Sequence, residues 1–192
     1  MKRSANIQDI LRPLSSTPQQ AYLSNALQLA DVLEWILGQV GESEVWQTSF
    51  SISEEFLRRL FFIEKGGKVR EFNLVLDHKA TNKTLKLWSF ISQTMKRTYL
   101  ADNHSKILLV RSLAGDTVSV VTSQNLTRGN RHESTFISTD ADIFATLHAQ
   151  VTDLIRNHSV PLNDLFRQRV LDVRDERGGT RYEKAAPQSR PS

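Results

Sequence analysis

Between residues 43 and 77 the sequence changes period twice, and this limits the folds open to the chain more than any other feature. "SEVWQTSFSIS" (43–53) reads at period two: Val45, Gln47, Ser49 and Ser51 share one strand face, and Trp46, Thr48, Phe50 and Ile52 the other. "SEEFLRRLFFIEKGG" (53–67) then moves to helical spacing. Ser53 is its cap, Phe56, Leu57, Leu60 and Phe61 form its apolar side, and Gly66 and Gly67 stop it. "VREFNLVLD" (69–77) returns to a strand. A strand, a crossover helix and a second strand call for a sheet with helices packed on it.

The rest of the chain extends this unit. "STPQQAYLSNALQLADVLEWILGQVG" (16–41) predicts a helix: Thr17 can cap it, Pro18 suits its first turn, and Gly38 or Gly41 can end it. Leu23, Ala26, Leu27, Ala30, Leu33, Ile36 and Leu37 form its core stripe. "KTLKLWSFISQTMK" (83–96) predicts a second crossover helix, and "RTYLADNHSKILLVRS" (97–112) one or two strands broken near Asp102 and Asn103. "LAGD" (113–116) is a hairpin turn and "TVSVVTS" (117–123) the returning strand. After the polar loop "QNLTRGNRHE" (124–133) come a short strand "STFIS" (134–138) and a closing helix "DADIFATLHAQVTDLIRN" (140–157), capped by Thr139 or Asp140. The fold class is therefore α/β, a mixed sheet with helices on both faces. Residues 1–171 read as one domain with a loose lead-in over 1–16, and 172–192, charged and without apolar period, as a disordered tail.

Composition removes several classes of function. The 192 residues contain no cysteine, which excludes disulfides and thiolate metal sites and fits a reducing compartment. The first residues, "MKRSANIQDILRPL", have no apolar run of the signal-peptide kind. No segment approaches the roughly 18 apolar residues of a membrane span. The expectation is a cytoplasmic protein without a membrane partner. The formal net charge of +4 suits a polyanionic partner but does not by itself name one.

The chemistry gathers around "DNHSKILLV" (102–110). If this stretch is strand throughout, His104 and Lys106 point to one face, and two such groups tolerate each other best with an anion between them. The hairpin carries the chain out along "KILLV" and back along "VSVVTS", so Ser123 and Asn125 return to the end where His104 begins. The following loop supplies Arg128, Arg131, His132 and Glu133. An imidazole, an ammonium, a hydroxyl and a carboxamide at one place can bind an anion or supply a nucleophile.

In that order, "HSK", a hydrophobic strand, a hairpin, "TSQNLT" and "RHE" resemble the phospholipase D superfamily, and the likeness runs over roughly residues 20–158. The resemblance implies an α-β-α sandwich. It also implies a metal-independent phosphodiesterase or nuclease with no cofactor, in which His104 attacks phosphorus to give a phosphohistidine. Lys106 and Asn125 would hold the non-bridging oxygens, Ser123 would assist, and Glu133 would orient His104 through its other ring N–H. Arg128 and Arg131 are candidates for flanking phosphates. Only one such motif is present, as in small nucleases of the superfamily that complete their site by homodimerisation; a two-fold dimer with His104 facing its symmetry mate is expected. The implied substrate is nucleic acid, DNA ahead of RNA.

One position departs from the pattern. Many members carry Asp where this chain has Arg111, which removes a carboxylate and opens a second reading: a catalytically degenerate module that binds nucleic acid. A phospholipid phosphodiesterase is the third, with no amphipathic surface helix to favour it. A metal site of Asp102, His104, His132 and Glu133 matches no ligand spacing. Of the other residues of note, His78 falls at a strand end, His148 and His158 on the outer side of the last helix, and Trp35, Trp46 and Trp88 in a core or dimer interface.

Overall fold

The computed structural model describes residues 6–80, 87, 91, 95, 97–127 and 129–165. Eight strands form one sheet: β1 (Gln19–Ser24), β2 (Ser43–Ser49), β3 (Val69–Asp77), β4 (Arg97–Ala101), β5 (Ile107–Ser112), β6 (Thr117–Thr122), β7 (Glu133–Ser138) and β8 (Ser159–Pro161). Among the described residues they are accompanied by the helices α1 (Leu29–Val40), α2 (Glu54–Ile63) and α3 (Ala141–His158). The spatial order is β1-β7-β6-β5-β2-β3-β4-β8. β2, β3 and β4 run parallel, and every other pairing is antiparallel.

The sheet is covered on both faces. Leu29, Leu33, Ile36 and Leu37 of α1 and Phe56, Leu57, Leu60 and Ile63 of α2 pack on Val45, Phe72, Leu74, Leu76, Leu108, Val110, Val118, Val120 and Ile137. On the opposite face Phe144 and Val151 of α3 close over Trp46 and Leu109. β2 is thus buried on both sides, which explains why its alternating apolar and polar residues are nearly all inaccessible. Each fully buried leucine stabilises the fold by roughly 1.5–3 kcal/mol.

The strand–helix–strand unit, the hairpin and the last helix form where the sequence places them. Ser53 caps α2 by accepting the Phe56 N–H at 3.3 Å, and Asp140 caps α3 by accepting from Asp142 and Ile143 at 2.9 and 3.0 Å. Gly67 (φ 74°) ends the turn after α2, and Gly115 (φ 101°) closes the β5–β6 hairpin; both angles lie where a side chain is disfavoured. Most of the predicted 83–96 helix lies outside the described residues. At its described positions the N–H of Ile91 donates to Leu87 and that of Met95 to Ile91, which is α-helical bonding.

Three expectations are corrected. The helix predicted from Thr17 starts only at Leu29. Residues 19–24 are instead the edge strand β1, paired residue for residue with β7 from Gln19↔Ser138 to Ser24↔Glu133. The apolar spacing Leu23, Ala26, Leu27, Ala30 joined two elements: Leu23 sits on β1 and is 70% exposed, while the helix begins after Gln28, whose N–H is held by Asp31 at 2.7 Å. The lead-in is not loose over residues 6–16, because Leu11 and Leu14 are buried in the core. His148 is not an outer-surface residue. Its ring meets Trp46 edge-on at 4.4 Å and stacks on Phe144 at 5.6 Å. Burial pushes this imidazole below its ordinary range, Arg111 adds to that, and Glu44 opposes it. Finally, Ser159–Pro161 pairs with β4 as a short strand that carries no signal of its own. The predicted tail from residue 172 lies outside the described residues. Among the described residues, no helix is long and apolar enough to cross a membrane.

Candidate active site

The predicted site residues come from one end of the sheet. Parallel β2, β3 and β4 end there with Ser49, Asp77 and Ala101; antiparallel β5 begins there, β6 ends there and β7 begins there. The carboxyl ends of parallel strands are where open α/β sheets bind ligands, since the connecting loops are free to diverge.

His104 and Lys106 precede the strand, which starts at Ile107. Strand alternation therefore does not orient them. Lys106 Nζ instead reaches back to the carbonyl oxygen of His104 at 2.8 Å, which answers how two such groups lie side by side. A buried polar lattice fixes this segment. Asn103, 5% exposed, accepts the Ser105 N–H at 3.0 Å and hydroxyl at 2.5 Å through Oδ1, and its Nδ2 faces the Ser49 carbonyl at 3.4 Å. The N–H of Asn103 donates to Asp77 Oδ2 at 2.9 Å, and Asp77 Oδ1 accepts from Lys79 N–H at 2.7 Å. Thr48 Oγ1 meets Ser105 Oγ at 2.8 Å and accepts the Ile107 N–H at 3.0 Å. His104 itself is exposed, and its ring lies edge-to-face on Phe50 at 5.2 Å and 61°.

The returning strand brings the second half. The Thr122 N–H donates to the Lys106 carbonyl at 3.1 Å, which sets Ser123 beside the His-x-Lys segment. Ser123 exchanges backbone and side-chain bonds with Ser134, and its hydroxyl donates a short hydrogen bond to the Glu133 carboxylate. Glu133 is thus engaged by Ser123, whereas the expectation had it hold the His104 ring. The turn carrying Asn125 is tied to β2: the Leu126 N–H donates to Ser49 Oγ at 3.1 Å, the Ser53 N–H to the Leu126 carbonyl at 2.9 Å, and Gln124 Nε2 to the Leu27 carbonyl at 3.0 Å. Asn125 Oδ1 is buried without a hydrogen-bond partner among the described residues.

Other candidates fall differently. Arg131 and His132 are exposed on the loop before Glu133, and Arg128 lies outside the described residues. Arg111 sits at the far end of β5, about 13 Å along the strand from Ile107 at roughly 3.3 Å per residue. There it pairs with Glu44 of β2 at 2.6 Å and covers the Trp46 ring at 5.1 Å. The departure from the superfamily pattern at this position is thus a cross-strand ion pair remote from His104. Among the described residues, no three His, Asp or Glu side chains gather as a metal set. Sequence reasoning missed Asn103, Asp77 and Thr48; their only signal is that each is polar and falls at the end of an apolar strand.

No family model matches the chain, and no curated protein matches it. Solved structures do. Nuc from Salmonella typhimurium, a phospholipase D family member, superposes with a TM-score of 0.57 at 14% identity, over 73% of this chain and 95% of Nuc. NucT from Helicobacter pylori gives 0.55 at 11% identity, over 73% and 96%. Polyphosphate kinase from Porphyromonas gingivalis gives 0.54 at 12%, over 71% of this chain but only 26% of the kinase. The protein is thus an α/β sandwich with its candidate site at the carboxyl ends of the parallel strands. More particularly, it has the phospholipase D-like fold, and the match covers nearly the full length of Nuc and NucT.

Proposed function

We propose that the protein is a metal-independent phosphodiesterase that cleaves nucleic acid, DNA ahead of RNA, through a phosphohistidine at His104. The observation that carries this reading is the bond from Thr122 to Lys106, which brings His-x-Lys alongside the Ser123–Asn125 turn and Glu133. The likeness in fold to Nuc, a phospholipase D family member, supports it.

In the proposed reaction a neutral His104 ring nitrogen attacks phosphorus, a P–N bond forms, and the P–O bond to the leaving strand breaks. Lys106 Nζ and the Asn125 carboxamide face the non-bridging oxygens, where preplaced donors stabilise developing negative charge. The departing oxygen takes a proton from His104 of a second copy, which then accepts a proton from water as water displaces the histidine from phosphorus. The hydrogen bond from the Ser123 hydroxyl holds the Glu133 carboxylate in place beside this centre. Arg131 is available to a flanking phosphate.

The dimer in this scheme has a suitable surface. Leu23, Val121 and Phe136, 70, 44 and 40% exposed, lie on the α3 side of β1, β6 and β7 with Val121 and Phe136 directly paired. Among the described residues, their direct cross-strand partners on that side, Ala21, Ile107 and Ser134, are uncharged. An isologous contact sets a patch against itself, so an uncharged apolar patch suits it. The degenerate-module reading rested on Arg111, and that residue lies away from His104, so the catalytic reading is preferred. The test is cleavage of labelled single- and double-stranded DNA and RNA in excess EDTA, native protein against His104→Ala. Cutting that persists in EDTA and disappears in the variant is expected; binding without cutting would favour the degenerate module.

A further inference from the structure

Phe50 is a large aromatic residue that serves neither apolar core. It stands just beyond the last residue of β2 and is only half-buried, and it takes no part in the two hydrophobic clusters formed by the described residues. Its ring lies against that of His104, 5.2 Å away. Burial does not account for a phenyl group in that place, because core aromatics are held by many apolar contacts.

The backbone on both sides of Phe50 is fastened. Ser49 Oγ donates to the Ser51 carbonyl at 2.9 Å and accepts the Leu126 N–H at 3.1 Å. Ile52 forms a bridge with Leu126, and Ser53 N–H bonds the Leu126 carbonyl at 2.9 Å. Phe50 is therefore held between the nucleophile His104 and the segment that carries Asn125. It is a fixed aromatic surface beside the position of the attacked phosphate.

We infer that Phe50 is a base-binding subsite: it stacks an unstacked nucleobase next to the scissile phosphate, so the substrate is a single strand or a strand with that nucleotide turned out of the helix. This rests on the reading of the protein as a nuclease. In a duplex both faces of each base are occupied by neighbouring pairs, so a base can reach an aromatic side chain only after leaving the stack. Every base has a π-face, so such a platform selects strand state and tolerates sequence.

The experiment pairs a change in the protein with a change in the substrate. Native protein, Phe50→Leu and Phe50→Tyr are assayed in EDTA on one single-stranded DNA oligonucleotide and on copies with a single abasic position moved stepwise past the cleavage point. Stacking of one base predicts that Phe50→Leu loses about 5- to 150-fold in kcat/KM on the intact strand. One abasic position should cost the native protein a similar factor and Phe50→Leu almost nothing, and Phe50→Tyr should restore the base dependence. A Phe50→Leu loss that is equal on intact and on all abasic strands would overturn the inference and leave a role toward the His104 ring or the fold, with the nuclease reading intact. The same follows if native protein cuts duplex as fast as single strand and ignores every abasic position. Failure of the native protein to cut any strand, or cutting that survives His104→Ala, would overturn the nuclease reading itself and the subsite with it.

Discussion

Asn103→Ala should injure both stability and catalysis, in amounts that follow from its contacts. The side chain is 5% exposed and accepts two hydrogen bonds from Ser105, with a third, long contact to the Ser49 carbonyl. At about 1 kcal/mol net for each bond, the two good ones and part of the third give a loss of roughly 2–3 kcal/mol. For a chain of this size that is a fall in Tm of about 4–12 °C. The same bonds hold Ser105, which lies between His104 and Lys106, so the nucleophile and its neighbouring cation lose their fixed placement together. A displacement of about 1 Å at such a position costs on the order of a hundredfold in rate. Urea unfolding gives the first quantity and kcat on a single-stranded substrate at a temperature where the variant is folded gives the second. A variant that loses the predicted stability but cuts at the native rate would refute the claim that this lattice positions His104; one that loses less than about 0.5 kcal/mol would refute the bond accounting.

Four further outcomes are expected. Arg111→Asp, which restores the acid of the superfamily pattern, should not raise cleavage; it sets two carboxylates opposite each other at Glu44↔Arg111 and should cost about 1 kcal/mol in urea unfolding, recovered by adding Glu44→Arg. His148 favours its neutral form in the fold, so the unfolded chain binds the extra proton: stability should fall as pH drops below about 6.5 and through the lowered folded value and be level above it, and the pH dependence of the urea midpoint should be shallower in His148→Gln. Phe136→Glu puts a charge into the exposed apolar strip and should yield a monomer by analytical ultracentrifugation with little loss of Tm and a large loss of cleavage; retention of both dimer and activity would remove that surface from the account. Leu109→Ala, in a fully buried position under α3, should cost about 2–5 kcal/mol by urea unfolding.

The parts of the fold that were legible in the sequence are those in which period and punctuation agree. α2 has its Ser53 cap and Gly67 stop, the β5–β6 hairpin has Gly115, and α3 has Asp140; each formed where these residues stand. β1 was not legible because its few apolar residues continue the 3.6-residue spacing of α1, and an edge strand gains its stability from pairing with β7, whose Ser138 lies 119 residues after its partner Gln19. At the site, the order of His104, Lys106, Ser123, Asn125 and Glu133 was enough to place them at one end of the sheet. The partners of Glu133 and of His104 were not, because a carboxylate's choice between a hydroxyl and an imidazole depends on how strand ends twist. The scaffold residues Asn103, Asp77 and Thr48 were hidden for the same reason: their burial is a property of where three parallel strands end together.

The most direct test of the central claim is to trap the covalent intermediate. Single-stranded DNA carrying a radiolabelled phosphate at the cleavage point is mixed with native protein and denatured within the first turnover. The account predicts label that stays with the protein, is lost in acid, survives in alkali, maps to His104 and is absent from His104→Ala. Strand cleavage without any protein-bound label, or label that persists in His104→Ala, would contradict it.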